Sequence, residues 1–108
     1  MFKQTVDAYW PDTANFTATV SSSAQYTVEA LPSAGAYLRI VSSDMCDIQI
    51  FRMFNTLVDT VPYQEFLHNG TRTVPLPPGK YKVVVNKQSV NVDIQIWVAL
   101  VNFILTEV

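Results

Sequence analysis

The 108-residue chain is short of the residues with which proteins most often do chemistry, having one cysteine and one histidine. A lone Cys46 excludes an intrachain disulfide framework and is expected as a buried structural thiol. One Cys and one His are too few soft ligands for a zinc site. The sequence holds no HExxH, CxxC, phosphate loop or GxGxxG, so neither catalytic metal nor cofactor is expected. A single His68, set beside Asn69-Gly70, reads as a solvent-facing turn residue rather than a catalytic base.

Charge is also scarce. Lys and Arg number seven, are scattered, and leave a net charge of -2, so the basic stripe needed to neutralise phosphates is missing and nucleic acid is not an expected partner. Residues 1–10 carry Lys3, Gln4 and Asp7 where a secretory leader needs an apolar stretch, which points to synthesis in the cytoplasm. The apolar run over residues 94–105 is short and interrupted by Gln95 and Asn102, so no membrane span is expected. Hydrophobic residues make up 49% of the chain and charged ones 15%, an imbalance that implies surface covered by a partner.

What is present is strand chemistry. Residues 1–14 lack periodicity and read as an irregular arm bearing Phe2, Tyr9 and Trp10; residues 15–108 read as one domain. From Asn15 onward, short runs of Val, Ile, Thr and aromatics are bounded by Ser, Pro, Gly and Asn, and no stretch shows a helical period. Strands are predicted over residues 16–20 and 25–30, joined by a Ser-rich turn, and over 36–41 and 47–54, separated by polar Ser42, Ser43 and Asp44. Asn69-Gly70 predicts a type I′ hairpin within residues 65–74. Further strands are expected over 79–85 and 90–105.

Two segments echo one another. Leu31-Pro32, Gly35, Tyr37, Arg39-Ile40-Val41 and Asp47-Ile48-Gln49-Ile50-Phe51 match Leu76-Pro77, Gly79, Tyr81, Val83-Val84-Val85 and Asp93-Ile94-Gln95-Ile96-Trp97. Each unit reads as a hairpin with one core face, a pattern open to internal pseudo-symmetry or to convergent hairpin chemistry. In both, an aromatic follows the second Ile, so Phe51 and Trp97 fall on the face of Gln49 and Gln95. That outer face needs a cover, supplied by the arm, by a β-bulge or by a neighbouring subunit. The long apolar end favours a subunit, with Trp97, Leu100, Val101, Phe103 and Ile104 as contact residues.

The spacing of Asp44, Asp47, Glu65 and Asp93 supports neither a calcium site nor a catalytic carboxylate pair; Asp47 and Asp93 read as strand starts beside turns. Asn15-Phe16-Thr17 and Asn69-Gly70-Thr71 match the glycosylation sequon, and chance accounts for both. Tyr9, Trp10, Tyr63 and Trp97 are the available platforms for stacking a sugar.

Residues 14–41, with Ala30-Leu31-Pro32, Gly35 and Tyr37-Leu38-Arg39-Ile40-Val41, together with Leu76-Pro77-Pro78-Gly79-Lys80-Tyr81-Lys82-Val83-Val84, resemble the small β-sandwich virion proteins of tailed bacteriophages, of the head decoration or cement type. The resemblance implies an oligomeric, non-catalytic protein that braces neighbouring shell subunits and brings no catalytic residue; the aromatic arm and apolar end depart from it and would also suit a tail or fibre component. The expected fold is therefore all-β, a single antiparallel sandwich of jelly-roll kind. The expected function is non-enzymatic: a virion protein binding the major capsid protein or another virion protein as a homo-oligomer, a trimer by preference. The interface is expected at Phe2, Tyr9, Trp10, Phe51, Trp97, Leu100, Val101, Phe103 and Ile104. A carbohydrate- or cell-surface-binding module is the alternative.

Overall fold

The computed structural model describes the backbone of residues 2–30 and 35–107 and the side chains of residues 10–29 and 35–99. The described residues form β1 (Phe2–Tyr9), β2 (Phe16–Val20), β3 (Ser23–Ala30), β4 (Ala36–Phe54), β5 (Leu57–Val58), β6 (Gln64–Leu76), β7 (Gly79–Lys87) and β8 (Val92–Glu107), with no helix among them. The expected all-β, antiparallel class is the one adopted. All eight strands belong to one hydrogen-bonded sheet that curls on itself.

Its plan is simplest as four chain segments lying side by side. β1 and then β2 run along β8, and β3 runs along β7. β8 and β7 in turn share one edge of β4, with Ser42 opposite Ile94 and Cys46 opposite Lys87. β6 takes the other edge of β4 along almost its whole length. Each segment breaks or bends at the same level: residues 21–22 between β2 and β3, 88–91 between β7 and β8, 43–45 within β4, and Asn69-Gly70 within β6. Lys87 N donates to Ser22 O at 3.1 Å across two of these breaks.

The breaks form a crease that brings the inner faces of the two half-sheets together. β6 has 13 residues and would reach about 40 Å if straight, yet Gln64 and Leu76 at its two ends line one recess. Phe16 of one half stacks on Tyr26 of the other with ring centroids 5.0 Å apart. One buried cluster draws on both: Leu38, Ile40, Val74, Ile94 and Ile96 from the first, Ile48, Ile50, Tyr81, Val83 and Val85 from the second.

Alternation explains the burial, and the crease preserves or resets it. Along β4 the buried residues are Ala36, Leu38, Ile40 and Ser42, then Cys46, Ile48 and Ile50. Between Ser42 and Cys46 this strand carries three residues where β6 carries only Asn69, a surplus of two that keeps even-numbered side chains inward on both sides. β7 buries Tyr81, Val83 and Val85 while β8 buries Val92, Ile94 and Ile96, so residues 88–91 reverse the parity between them.

Several expectations are corrected here. Residues Phe2–Tyr9 form strand β1 paired with residues 100–107, so the irregular part of the expected arm is residues 10–14. β2 and β3 meet at a corner and pair with different strands. Residues 36–54 are one bulged strand, and neither echo unit is a hairpin: each crosses the crease, with Asp outward and Ile inward in both copies. Asn69-Gly70 closes no hairpin, because β6 runs through it; Gly70 uses its φ of +89° to bend the strand opposite Ser42. The tight turn is instead at Asn55-Thr56, where Asn55 takes a φ of +57° and Phe54 pairs with Leu57. His68 is only 5% exposed, a buried crease residue and not a solvent-facing one.

Two glycines separate strain from space. A Cβ on Gly70 would meet nothing within 4 Å, so Gly70→Ala costs only the left-handed conformation, about 1–2 kcal/mol, or a Tm lower by about 4–8 °C per kcal/mol. Gly35 also has positive φ, and its Cβ would overlap the Leu76 carbonyl oxygen, so Gly35→Ala should lower Tm at least twice as far in a calorimetric scan. Equal shifts for the two would contradict this account of the crease and the β4 start.

Candidate functional site

The crease holds a buried polar group made by strand geometry. Cys46 and His68 are register partners on β4 and β6, and the Cys46 thiol donates to the His68 carbonyl at 3.5 Å. His68 Nε2 lies 3.1 Å from Ile40 O and 2.9 Å from Gly70 O. Both neighbours are acceptors, so this nitrogen carries the proton and donates to them. The ring meets Phe66 edge-on at 6.1 Å. Burial pushes the Cys46 thiol up, against a smaller opposing effect of the Ser42 hydroxyl beside it and a further upward push from Asp47. Ser42 Oγ itself is buried without a well-formed hydrogen bond. A thiol that is fully buried and held in its neutral form ties strands together; it is not placed to attack a substrate.

The outward face of the first half-sheet carries Trp97. In register, Trp97 sits beside Arg39, and Tyr37 beside Ala99. Trp10, from the segment after β1, lies over the Arg39 guanidinium at 4.2 Å from the ring centroid. Val98 N donates to Asn15 Oδ1 at 2.8 Å, so residues 10–15 are pinned to β8 where strand pairing lapses. The chain's own arm thus supplies part of the cover that the sequence called for, and Trp97 and Trp10 both remain half-buried. Phe51 is half-buried on the outward face of the second half-sheet, opposite Lys82. The side chains of Phe2, Tyr9, Leu100, Val101, Phe103 and Ile104 lie outside the described ones.

A groove of about 420 Å³ opens beside the crease on the first outward face, lined by Thr17, Ala18, Thr19, Val41, Ser43, Asp93 and Gln95 among others. Thr19 Oγ1 donates to Asp93 Oδ1 at 2.8 Å, and Asp93 N donates to Ser43 Oγ at 2.9 Å. Asp93 therefore holds three segments together at the crease, more than a strand start. On the second outward face a ladder runs from Glu65 through Gln49 to Asn86, with Gln49 Nε2 donating to Glu65 and Asn86 Nδ2 donating to Gln49 Oε1 at 3.3 Å.

Sequence reasoning missed the most exposed large apolar side chains among the described residues. Phe54, Leu57 and Val61 are 77%, 71% and 72% exposed around the Asn55-Thr56 turn. Arg52 stacks on Tyr63 at 4.3 Å, and Tyr63 lies 6.0 Å from Tyr81. The signal was the run Phe54-Asn55-Thr56-Leu57, two large apolar residues flanking two polar ones, but without a glycine it did not announce a turn.

Asp47 offers a test of the outward face. Burial first, and Glu65 second, raise its carboxyl above the usual 3.8. A raised folded value means the fold disfavours the carboxylate, so the penalty is present above that value and gone below the unfolded one. Asp47→Asn should stabilise the protein slightly at pH 7, slightly because water still reaches the group, and the gain should vanish at pH 3. Denaturant titrations at the two pH values check it; a loss of stability at pH 7 would count against it.

No protein-family profile matches the chain and no curated protein is significantly similar to it, so function has to be read from this geometry.

Proposed function

We propose that the chain is a non-enzymatic structural protein of a virion, a capsid decoration or cement protein that braces neighbouring shell subunits as a homo-oligomer. One observation carries the reading. β4 pairs with β8 only as far as Leu100, and among the described residues 101–107 pair with β1 alone. The sheet thus continues as a two-stranded ribbon, a form marginally stable in water without a further surface to lie on. Of the residues expected at the interface, the ribbon contains Phe2, Val101, Phe103 and Ile104, with Ala8 opposite Val101 and Val6 opposite Phe103 in register. A docking ribbon joined to a rigid curled sheet suits a protein whose work is to hold others in place, and the low charge of the chain fits a surface spent on contacts.

In gradient-purified particles from producing cells, the protein should appear in fixed ratio to the major capsid protein. Shells stripped of it should rupture at lower temperature. Particles without the chain would remove this reading.

The mixed lining of the groove beside the crease supports a second reading, a carbohydrate-binding module. Thr17, Thr19, Ser43 and Gln95 present hydroxyl and amide groups beside the Asp93 carboxylate, the donor and acceptor set that suits a neutral sugar. Neutral oligosaccharides on a glycan array should then bind, and Gln95→Ala should abolish the signal; an array without hits discards it.

A further inference from the structure

β1 is a terminal strand of the sheet. Among the described residues Phe2–Tyr9 pair with β8 alone, so the backbone N–H and C=O groups on the far side of β1 form an open row. Such a row is a template for a further strand, and proteins ordinarily guard it with proline, a bulge or charge. β1 has neither proline nor bulge, since its register runs unbroken from Phe2 opposite Glu107 to Tyr9 opposite Leu100. Its charged residues are Lys3 and Asp7, of opposite sign, at positions on one face of the strand and equally spaced either side of Thr5. Directly across β8 they stand opposite Thr106 and Asn102, so neither meets a countercharge in its own register.

We infer that β1 pairs antiparallel with β1 of a second copy about a two-fold axis through Thr5, carrying one sheet across both molecules. This rests on the homo-oligomer part of the proposed function, names the edge that makes it, and does not depend on a shell.

Charge selects the occupant, the direction and the register. About an axis at Thr5, residues 2–8 of one copy run opposite 8–2 of the other, so Lys3 of each copy stands opposite Asp7 of the other and Thr5 opposite Thr5. Parallel pairing in register sets like charges against each other at both positions. An antiparallel slip of two residues sets Lys3 opposite Thr5 or Tyr9 and loses both ion pairs. Symmetry adds a condition of its own. Opposite residues share a face and the two-fold keeps each residue on its own face, so only residues an even number of positions apart can meet. Lys3 and Asp7 satisfy it. Glu65 and Arg72 on the outer edge of β6 do not, and that strand bends at Gly70 between them. β3, the other terminal strand, has Glu29 as its only charge, and β2 and β5 have none. Residues 101–107, where β8 has left β4, have Glu107 alone. Among the described residues, β1 is therefore the open edge whose charges complement themselves.

An unrelated strand would have to bring an acid and a base at the same spacing, which a second copy already holds. The second copy also answers the weakness of the ribbon. Two strands on their own are marginal in water, and two ribbons joined along β1 make four strands with continuous backbone pairing.

Sedimentation or native mass spectrometry of the full chain at micromolar concentration reads the size. The wild type should be a dimer. Lys3→Asp and Asp7→Lys each put like charges opposite one another at both positions and should each weaken dimerisation about tenfold or more. Circular dichroism should show the fold kept, because the register partners on β8 are uncharged. The double variant Lys3→Asp/Asp7→Lys recreates both ion pairs and should dimerise as the wild type does. A mixture of the two single variants should form the heterodimer, since one presents two acids and the other two bases. A monomeric wild type overturns both this edge and the homo-oligomer. A wild-type oligomer that is indifferent to the single variants, is not restored in the double variant, or contains three copies overturns this edge and leaves the homo-oligomer standing. A charge-dependent dimer that purified particles lack supports this edge and removes the shell.

Discussion

Four chain segments must change direction at one level of the sheet, or the inner faces of its halves do not meet. Everything else in the structure depends on that coincidence. The chain meets it with four different devices: two serines between β2 and β3, a two-residue surplus within β4, a positive-φ glycine in β6, and a four-residue link between β7 and β8. Hydrogen bonds then lock the level, from Lys87 N to Ser22 O, from His68 to the carbonyls of Ile40 and Gly70, and from Asp93 to Ser43. His68 and Ser43, which the sequence offers only as a turn residue and a strand separator, satisfy backbone groups freed where the ladder bends.

This explains which parts of the fold were legible. Period-two alternation is a local property, so strand identity and the inward faces of Ile48, Ile50, Ile94 and Ile96 could be read directly. A bend and a hairpin use the same residues, and local chemistry cannot separate them. Asn69-Gly70 has the composition of a type I′ turn, but whether its flanking strands pair with each other or with a third strand is set by long-range partners. His68 was misplaced for the same reason, since a residue beside a turn is solvent-facing and one beside a crease is not. Conversely, Asn55-Thr56 makes the real turn without glycine.

The candidate interfaces divide in the same way. The slip of Phe51 and Trp97 onto the outward face was visible because it breaks alternation, and both are half-buried there. That Trp10 reaches over Arg39 beside Trp97 was not visible, because it requires knowing that β8 and β4 are neighbours. The recess between Tyr37 and Tyr63 was still less so, since it joins residues at opposite ends of a folded strand. The surface features follow from the same layout: a groove beside the crease, a recess where the ends of β6 return, and a ribbon where β8 runs past β4.

The central claim is that the two half-sheets are one cooperative body closed by the crease. Native-state hydrogen exchange tests it most directly, followed at the amides of Leu38, Ile40 and Ile96 on one side and Ile48, Val83 and Val85 on the other. The account predicts that both groups exchange through the same global opening, with equal free energies that fall together in denaturant. Full protection on one side with a lower-energy opening on the other would mean two sheets in contact, and would contradict it.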